Sequence, residues 1–165
     1  MRLRRAVPED WPALWEILRP TFRAGDTYAV DPDIPEDAAR TYWTETPREC
    51  WLAEDAGAVL GTYYLRANQA GPGDHVCNCG YVTAPAARGR GVARAMCLQS
   101  QDRARSLGFM AMQFNLVVST NAAALRLWAD LGFATVGTLP GAFRHPEAGP
   151  VDAHVLYKWL APAAP

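Results

Sequence analysis

The stretch 79-CGYVTAPAARGRGVARAM-96 constrains the fold more than any other in the chain. An apolar, strand-like run passes through Pro85 into Gly89 and Gly91, spaced by one arginine, and goes straight into a helical pattern. A helix that opens on Arg-Gly-Arg-Gly lacks the Ser, Thr, Asp or Asn side chain that ordinarily caps its first free N–H groups. Those groups are then open to an anion. Neither glycine has a Cβ to hold a ligand away, and Arg88 and Arg90 add charge at the positive end of the helix dipole. The familiar nucleotide fingerprints are excluded, because there is no GxxxxGKS/T and Arg94 stands where GxGxxG needs its third glycine. Taken alone, the turn also reads as a solvated corner with two incidental arginines.

The length, 165 residues, suits one domain over 1–160 followed by a loose tail, APAAP, at 161–165. Half of the residues are apolar, enough for a core that needs no metal or disulfide. Sixteen basic against 17 acidic side chains give a net charge of -1, which removes the electrostatic footprint of a protein held on nucleic acid or on anionic lipid. No run reaches the roughly 18 apolar residues of a membrane helix, and MRLRRAVPEDW has no apolar signal core behind its charges, so no membrane and a cytoplasmic location are expected. Cys50, Cys77, Cys79 and Cys97 form no CxxC pair or zinc spacing and read as reduced, packed thiols, with no metal expected.

Along the chain, residues 1–7 read as a first strand, and Asp10 is the expected N-cap of a helix carrying Trp11, Leu14, Trp15 and Leu18 on one face and ending near Pro20. A loop over 25–35 precedes a short helix at 36–43. Strands at 50–53 and 58–66 flank a turn at 55–57, and a polar loop at 68–74 leads to a strand at 75–82. The helix opened by the two glycines places Ala93, Met96, Cys97, Ser100, Ala104 and Leu107 on its packed face, leaves Arg94, Gln101, Asp102 and Arg105 off it, and stops at Gly108. A strand at 111–118, a helix at 121–131 ended by Gly132, and strands at 133–139 and 152–160 around a loop at 140–150 complete the pattern.

Val82, Pro85, Arg88, Gly89, Gly91, Val92 and Ala93 form V-x-x-P-x-x-R-G-x-G-V-A, which resembles the acyl-CoA signature of the GNAT acetyltransferase superfamily. Downstream, 121-NAAALRLWADLGF-133 resembles the second half of the same site. The resemblance implies an α/β fold, a mixed α+β sheet of about seven strands splayed between the fourth and fifth, with about four helices. It implies that the pantetheine arm of acetyl-CoA, the acyl donor, lies in the splay against the backbone of Tyr81 and Val82. The N–H groups from Gly89 to Ala93 would hold its pyrophosphate beside Arg88 and Arg90, and Asn121 would hydrogen-bond it. Asn121 is equally a plain helix N-cap by residue type.

Two further segments, 77-CNCGY-81 and 113-QFNLVVSTN-121, resemble a GNAT subgroup that includes fungal acetyltransferases of azetidine-2-carboxylate and related proline analogues. The resemblance implies that Asn78 binds the acceptor's carboxylate and that Asn115 contacts the reacting nitrogen. Two asparagines on adjacent core strands need partners in any case, and pairing with one another or with backbone answers that need equally. The chain departs from the superfamily at Trp128, where many members carry a tyrosine thought to protonate the leaving thiolate. Indole does not ionise usefully, so Trp128 reads as packing, a cofactor wall or a donor to sulfur. No glutamate interrupts the fourth strand as a base.

These features point to an N-acetyltransferase that moves acetyl from acetyl-CoA directly to the amine or imino nitrogen of a small amino-acid-like acceptor. A peptide or protein amine, or a non-catalytic acyl-CoA sensor, are the alternatives. The aromatic segment 22-FRAGDTYAVDPDIP-35 suits closure over a small site, and His145 is placed either at the acceptor entrance or on ordinary surface. The resemblance also allows a homodimer.

Overall fold

In the computed structural model, which describes residues 1–160, seven strands form one sheet in the order β1-β2-β3-β4-β5-β7-β6. The strands are β1 (Arg2–Arg5), β2 (Glu49–Asp55), β3 (Ala58–Ala67), β4 (Val76–Thr83), β5 (Ala111–Val118), β6 (Ala134–His145) and β7 (Gly149–Trp159). The helices are α1 (Trp11–Ala24), α2 (Glu36–Arg40), α3 (Val92–Ser106) and α4 (Ala122–Asp130). The tail expected at 161–165 lies outside the described residues. No helix among the described residues is long and apolar enough to cross a membrane.

The sheet is mixed, and its one parallel pair is its weak seam. β4 and β5 are in register only at Val76 with Ala111 and Cys77 with Met112, after which they diverge. The alternation of side chains across β4 sends successive residues into two separate cores. Val82 packs with Leu14, Leu18 and Phe22 of α1, with Trp43, and with Leu52 and Tyr64. Cys77 and Cys79 pack on the opposite face with Met96 and Cys97 of α3, Met112 and Phe114 of β5, and Trp128 of α4. Each fully buried Leu or Phe in these layers contributes about 1.5–3 kcal/mol of apolar transfer.

Several local expectations are overturned. Asp10 stands at the N-cap of α1 but its side chain does not cap that helix, because both its oxygens are taken by the Arg4 guanidinium at 2.7 Å and one also accepts the Val7 N–H ahead of the 3-10 turn Pro8–Asp10. α1 runs through Pro20 to Gly25 (φ 63), since Pro20 and the Glu16 carbonyl it leaves without a donor both face water, and the extra turn buries Phe22. Gln101 is buried, its Oε1 accepting from Lys158 Nζ at 2.6 Å and its Nε2 reaching Cys97 Sγ at 3.5 Å. The expected loop at 140–150 is a long hairpin instead: the strands continue to His145 paired with Gly149, and Pro140 is tolerated because it sits at a register shift on the edge strand.

Candidate active site

The divergence of β4 and β5 opens a cavity of about 210 Å³ that passes through the sheet. One wall of it is main chain. Ala84 N–H bonds Leu60 C=O and Asn68 N–H bonds Val76 C=O, which makes the even-numbered residues of β4 the bonded ones toward β3. The N–H and C=O groups of Cys79, Tyr81 and Thr83 therefore point into the splay. Val82 does not contribute its backbone there, since its polar groups serve the pairing with Thr62; Thr83, which sequence reasoning missed, does.

Beyond Thr83 the chain turns through Pro85–Ala87 into α3. Gly89 (φ 75) and Gly91 (φ 77) both hold left-handed conformations, and a Cβ built at either meets nothing within 4 Å. The space above them is open. Arg88 N–H and Arg90 N–H turn back to Pro85 C=O and Ala87 C=O, which removes Arg90 from the expected run of N–H groups between Gly89 and Ala93. Gly89, Gly91, Val92 and Ala93 have no such main-chain acceptor among the described residues. The Arg90 side chain lies 3.6 Å from Asp55, while Arg88 is exposed and has no ion pair among the described residues. Open N–H groups, two glycines and an unpaired cation fit a diphosphate.

The other wall is made of side chains. Asn78 is 5% exposed and spans the splay: its Oδ1 accepts from Tyr64 O–H at 3.2 Å and its Nδ2 donates to Gln113 C=O of β5 at 2.9 Å. Asn115 is not buried as expected but exposed, where the strands part; its Nδ2 donates to Asn68 at 2.7 Å and its Oδ1 accepts from Gln113 at 2.9 Å. Both asparagines line the cavity without bonding each other. Tyr28, from the loop after α1, closes it by donating its hydroxyl to Tyr81 C=O at 2.9 Å, and Tyr42 and Arg66 complete the rim.

Asn121 caps α4, its Oδ1 accepting from Ala124 N–H at 3.1 Å, and it also lines the same cavity. Trp128 lines the cavity between the walls with its ring 5.2 Å from Tyr81 and 5.1 Å from Phe114, and its indole N–H has no acceptor among the described residues yet is not an enclosed orphan. Burial pushes the Cys79 thiol and the Tyr28 and Tyr64 hydroxyls up, so none supplies an anion near neutral pH. No carboxylate or imidazole is among the residues that line the cavity. His145 is remote from it, its Nδ1 accepting the N–H groups of Glu147 and Ala148 in the β6–β7 turn.

Tyr28 lies in the aromatic segment 22–35 expected to close a small site, whereas sequence reasoning missed Tyr42, Tyr64 and Arg66. The signal for the last two is alternation in 63-YYLR-66, where Tyr64 and Arg66 share a face with Asn78.

A split sheet beside a glycine-opened helix that offers its N–H groups to an anion is the build of an acyl-CoA-binding transferase fold. The model of the acetyltransferase (GNAT) family matches residues 11–133, and the chain belongs to that family. It is 34% identical over 107 residues to the N-acetyltransferase aca1 of Schizosaccharomyces pombe, a match covering 64% of this chain. The match spans about half, 51%, of that relative's length. A GCN5-related N-acetyltransferase from Kribbella flavida is similar at 44% identity with a TM-score of 0.91, covering 96% of both chains. The fold likeness extends to a GNAT superfamily phosphinothricin acetyltransferase from Sinorhizobium meliloti solved in complex with AcCoA, at 24% identity and a TM-score of 0.85 over 97% of this chain and 88% of that one.

Proposed function

We propose that this chain is an acetyl-CoA-dependent N-acetyltransferase acting on the amine or imino nitrogen of a small amino-acid-like acceptor, by direct transfer in a ternary complex. The observation that carries the reading is the through-sheet cavity, with free main-chain N–H groups on one side and an amide-and-tyrosine wall closed by Tyr28 on the other. Its volume of about 210 Å³ is below the roughly 300–1,000 Å³ of pockets for drug-sized ligands. Family membership, the likeness to aca1 and the AcCoA held by the Sinorhizobium meliloti relative support the donor.

Bound acetyl-CoA supplies an activated acyl group as a thioester. The residues that would hold it are Gly89, Gly91, Val92 and Ala93 through their N–H groups, Arg88 through charge, Asn121, and the backbone of Tyr81 and Thr83. The Tyr81 N–H, pointing into the splay, is the donor placed to polarise a carbonyl there. Tyr28 takes up the Tyr81 C=O and helps to exclude water from the acceptor end. With no base lining the cavity, the chain's contribution is proximity and orientation, and the acceptor nitrogen enters as the free amine. A buried Cys79 thiol pushed upward argues for direct transfer over an acyl-cysteine.

Azetidine-2-carboxylate and proline analogues are the acceptors the asparagine pair favours. A peptide amine is the second reading, supported by a separate open depression of about 690 Å³, lined by Asn68 and Asp74, that shares Arg66 with the cavity. An acceptor screen followed by release of free CoA tests both, beside titration with acetyl-CoA. Turnover of small imino or amino acids upholds the first reading. Tight acetyl-CoA binding with no turnover of any amine leaves a sensor and overturns it.

A further inference from the structure

Arg66 is set apart from the other half-buried arginines. Arg4, Arg40 and Arg103 each face a carboxylate. Arg66 has neither an ion-pair partner nor an acceptor for its guanidinium among the described residues, although it is half-buried. Its guanidinium carbon lies 5.1 Å from the Tyr64 ring centre and 5.9 Å from that of Tyr42. Two aromatic faces thus fix the cation at the rim of the cavity without consuming its N–H groups. It is the cross-strand partner of Asn78 and shares that face of the sheet, and Asn115 lines the same cavity. Asp74, the acidic residue of the neighbouring depression, forms no ion pair with it among the described residues.

Asn78, by contrast, has little left to offer an anion. Tyr64 occupies its carbonyl oxygen and Gln113 C=O takes one of its two N–H donors, so a single N–H remains. A guanidinium presents five in a planar fork that matches a carboxylate. We propose that Arg66 is the carboxylate receptor of the acceptor site, with Asn78 as its positioning neighbour, and that it selects α-amino and α-imino acids over amines lacking an acid group. The assignment rests on reading the cavity as an amine-acceptor site.

The test compares azetidine-2-carboxylate with azetidine-2-carboxamide on wild type, Arg66→Gln and Arg66→Lys. The wild type should favour the acid, and Arg66→Gln should lose about 50-fold in kcat/KM on the acid, mainly through KM, the scale of a lost charge-assisted fork. On the carboxamide the same variant should fall by less than about threefold, and Arg66→Lys, which keeps charge and stem, should lie between on the acid. Equal losses on both acceptors, or a wild type that does not discriminate, overturn the assignment. Thermal midpoints and acetyl-CoA affinity, unchanged, identify the effect as local. If the wild type acetylates neither compound, titration of azetidine-2-carboxylate into CoA-loaded protein decides. Binding lost in Arg66→Gln keeps the receptor while the transfer reading fails; no binding to wild type sinks both.

Discussion

The two walls of the cavity are put together in different ways. The wall proposed for the cofactor comes from one continuous stretch, the end of β4, the turn and the first residues of α3, and it offers mostly main chain. The wall proposed for the acceptor gathers Tyr28, Tyr42, Tyr64, Arg66, Asn78 and Asn115 from the loop after α1, the turn after α2, β3, β4 and β5, and it offers side chains. Main-chain recognition tolerates almost any sequence that keeps the glycines, whereas the other wall changes its chemistry with each substitution. The first suits a shared donor and the second a particular acceptor.

Substituting Gly91 should break the contrast most severely. Gly91→Val places a branched side chain at φ 77, in space that nothing in the protein fills. Acetyl-CoA affinity, read by titration, should fall about 100-fold as left-handed strain and lost N–H contacts combine. Unchanged affinity would refute the anion cradle.

Glu49 tests whether the cofactor wall depends on remote scaffolding. It is 4% exposed, receives both arms of Arg103 at 2.9 and 2.5 Å, and so ties the far end of α3 to β2. Glu49→Gln should cost about 3 kcal/mol and lower Tm by roughly 6–12 °C, while the folded fraction keeps its acetyl-CoA affinity. The Arg103 hydrogen bonds hold the Glu49 carboxyl below its ordinary value of 4.5. Its stabilisation is therefore complete above that value and disappears as pH falls through the lower folded one. The difference in unfolding free energy between wild type and variant, followed by denaturant titration, should shrink in acid; a constant difference would contradict the ion pair.

Asn78→Ala removes the strut across the splay, leaving Tyr64 O–H and Gln113 C=O without it. About 2 kcal/mol of stability should go with it, a Tm loss of roughly 4–8 °C, together with acceptor turnover but not acetyl-CoA binding. Loss of cofactor affinity instead would mean that the walls are not separable. Tyr28→Phe is the mildest change. It frees Tyr81 C=O and should raise the acceptor KM a few-fold, in line with about 1 kcal/mol for one hydrogen bond.

Legibility in the sequence followed the same division. The glycine spacing and the strand–turn–helix pattern made the end of β4, the turn and the start of α3 legible because both are local, and seven strands and four helices were readable from periodicity. What escaped depended on partners distant in the chain. Asp10 was drawn from capping by Arg4, Gln101 was buried by Lys158, and Arg66 became a site residue only when β3 paired with β4 beneath Tyr42. The direction of the β4 backbone, which replaces Val82 by Thr83 in the splay, is fixed by hydrogen-bond parity with β3, and no residue type records it.

The brief register between β4 and β5 has a mechanical side. The sheet's two halves meet through two residue pairs, the Met110 N–H to His75 C=O bond and the amides of Asn78 and Asn115, like leaves on a short spine. Any molecule threaded between them works as a clasp, and its arrival should slow deuterium uptake along both diverging strands at once.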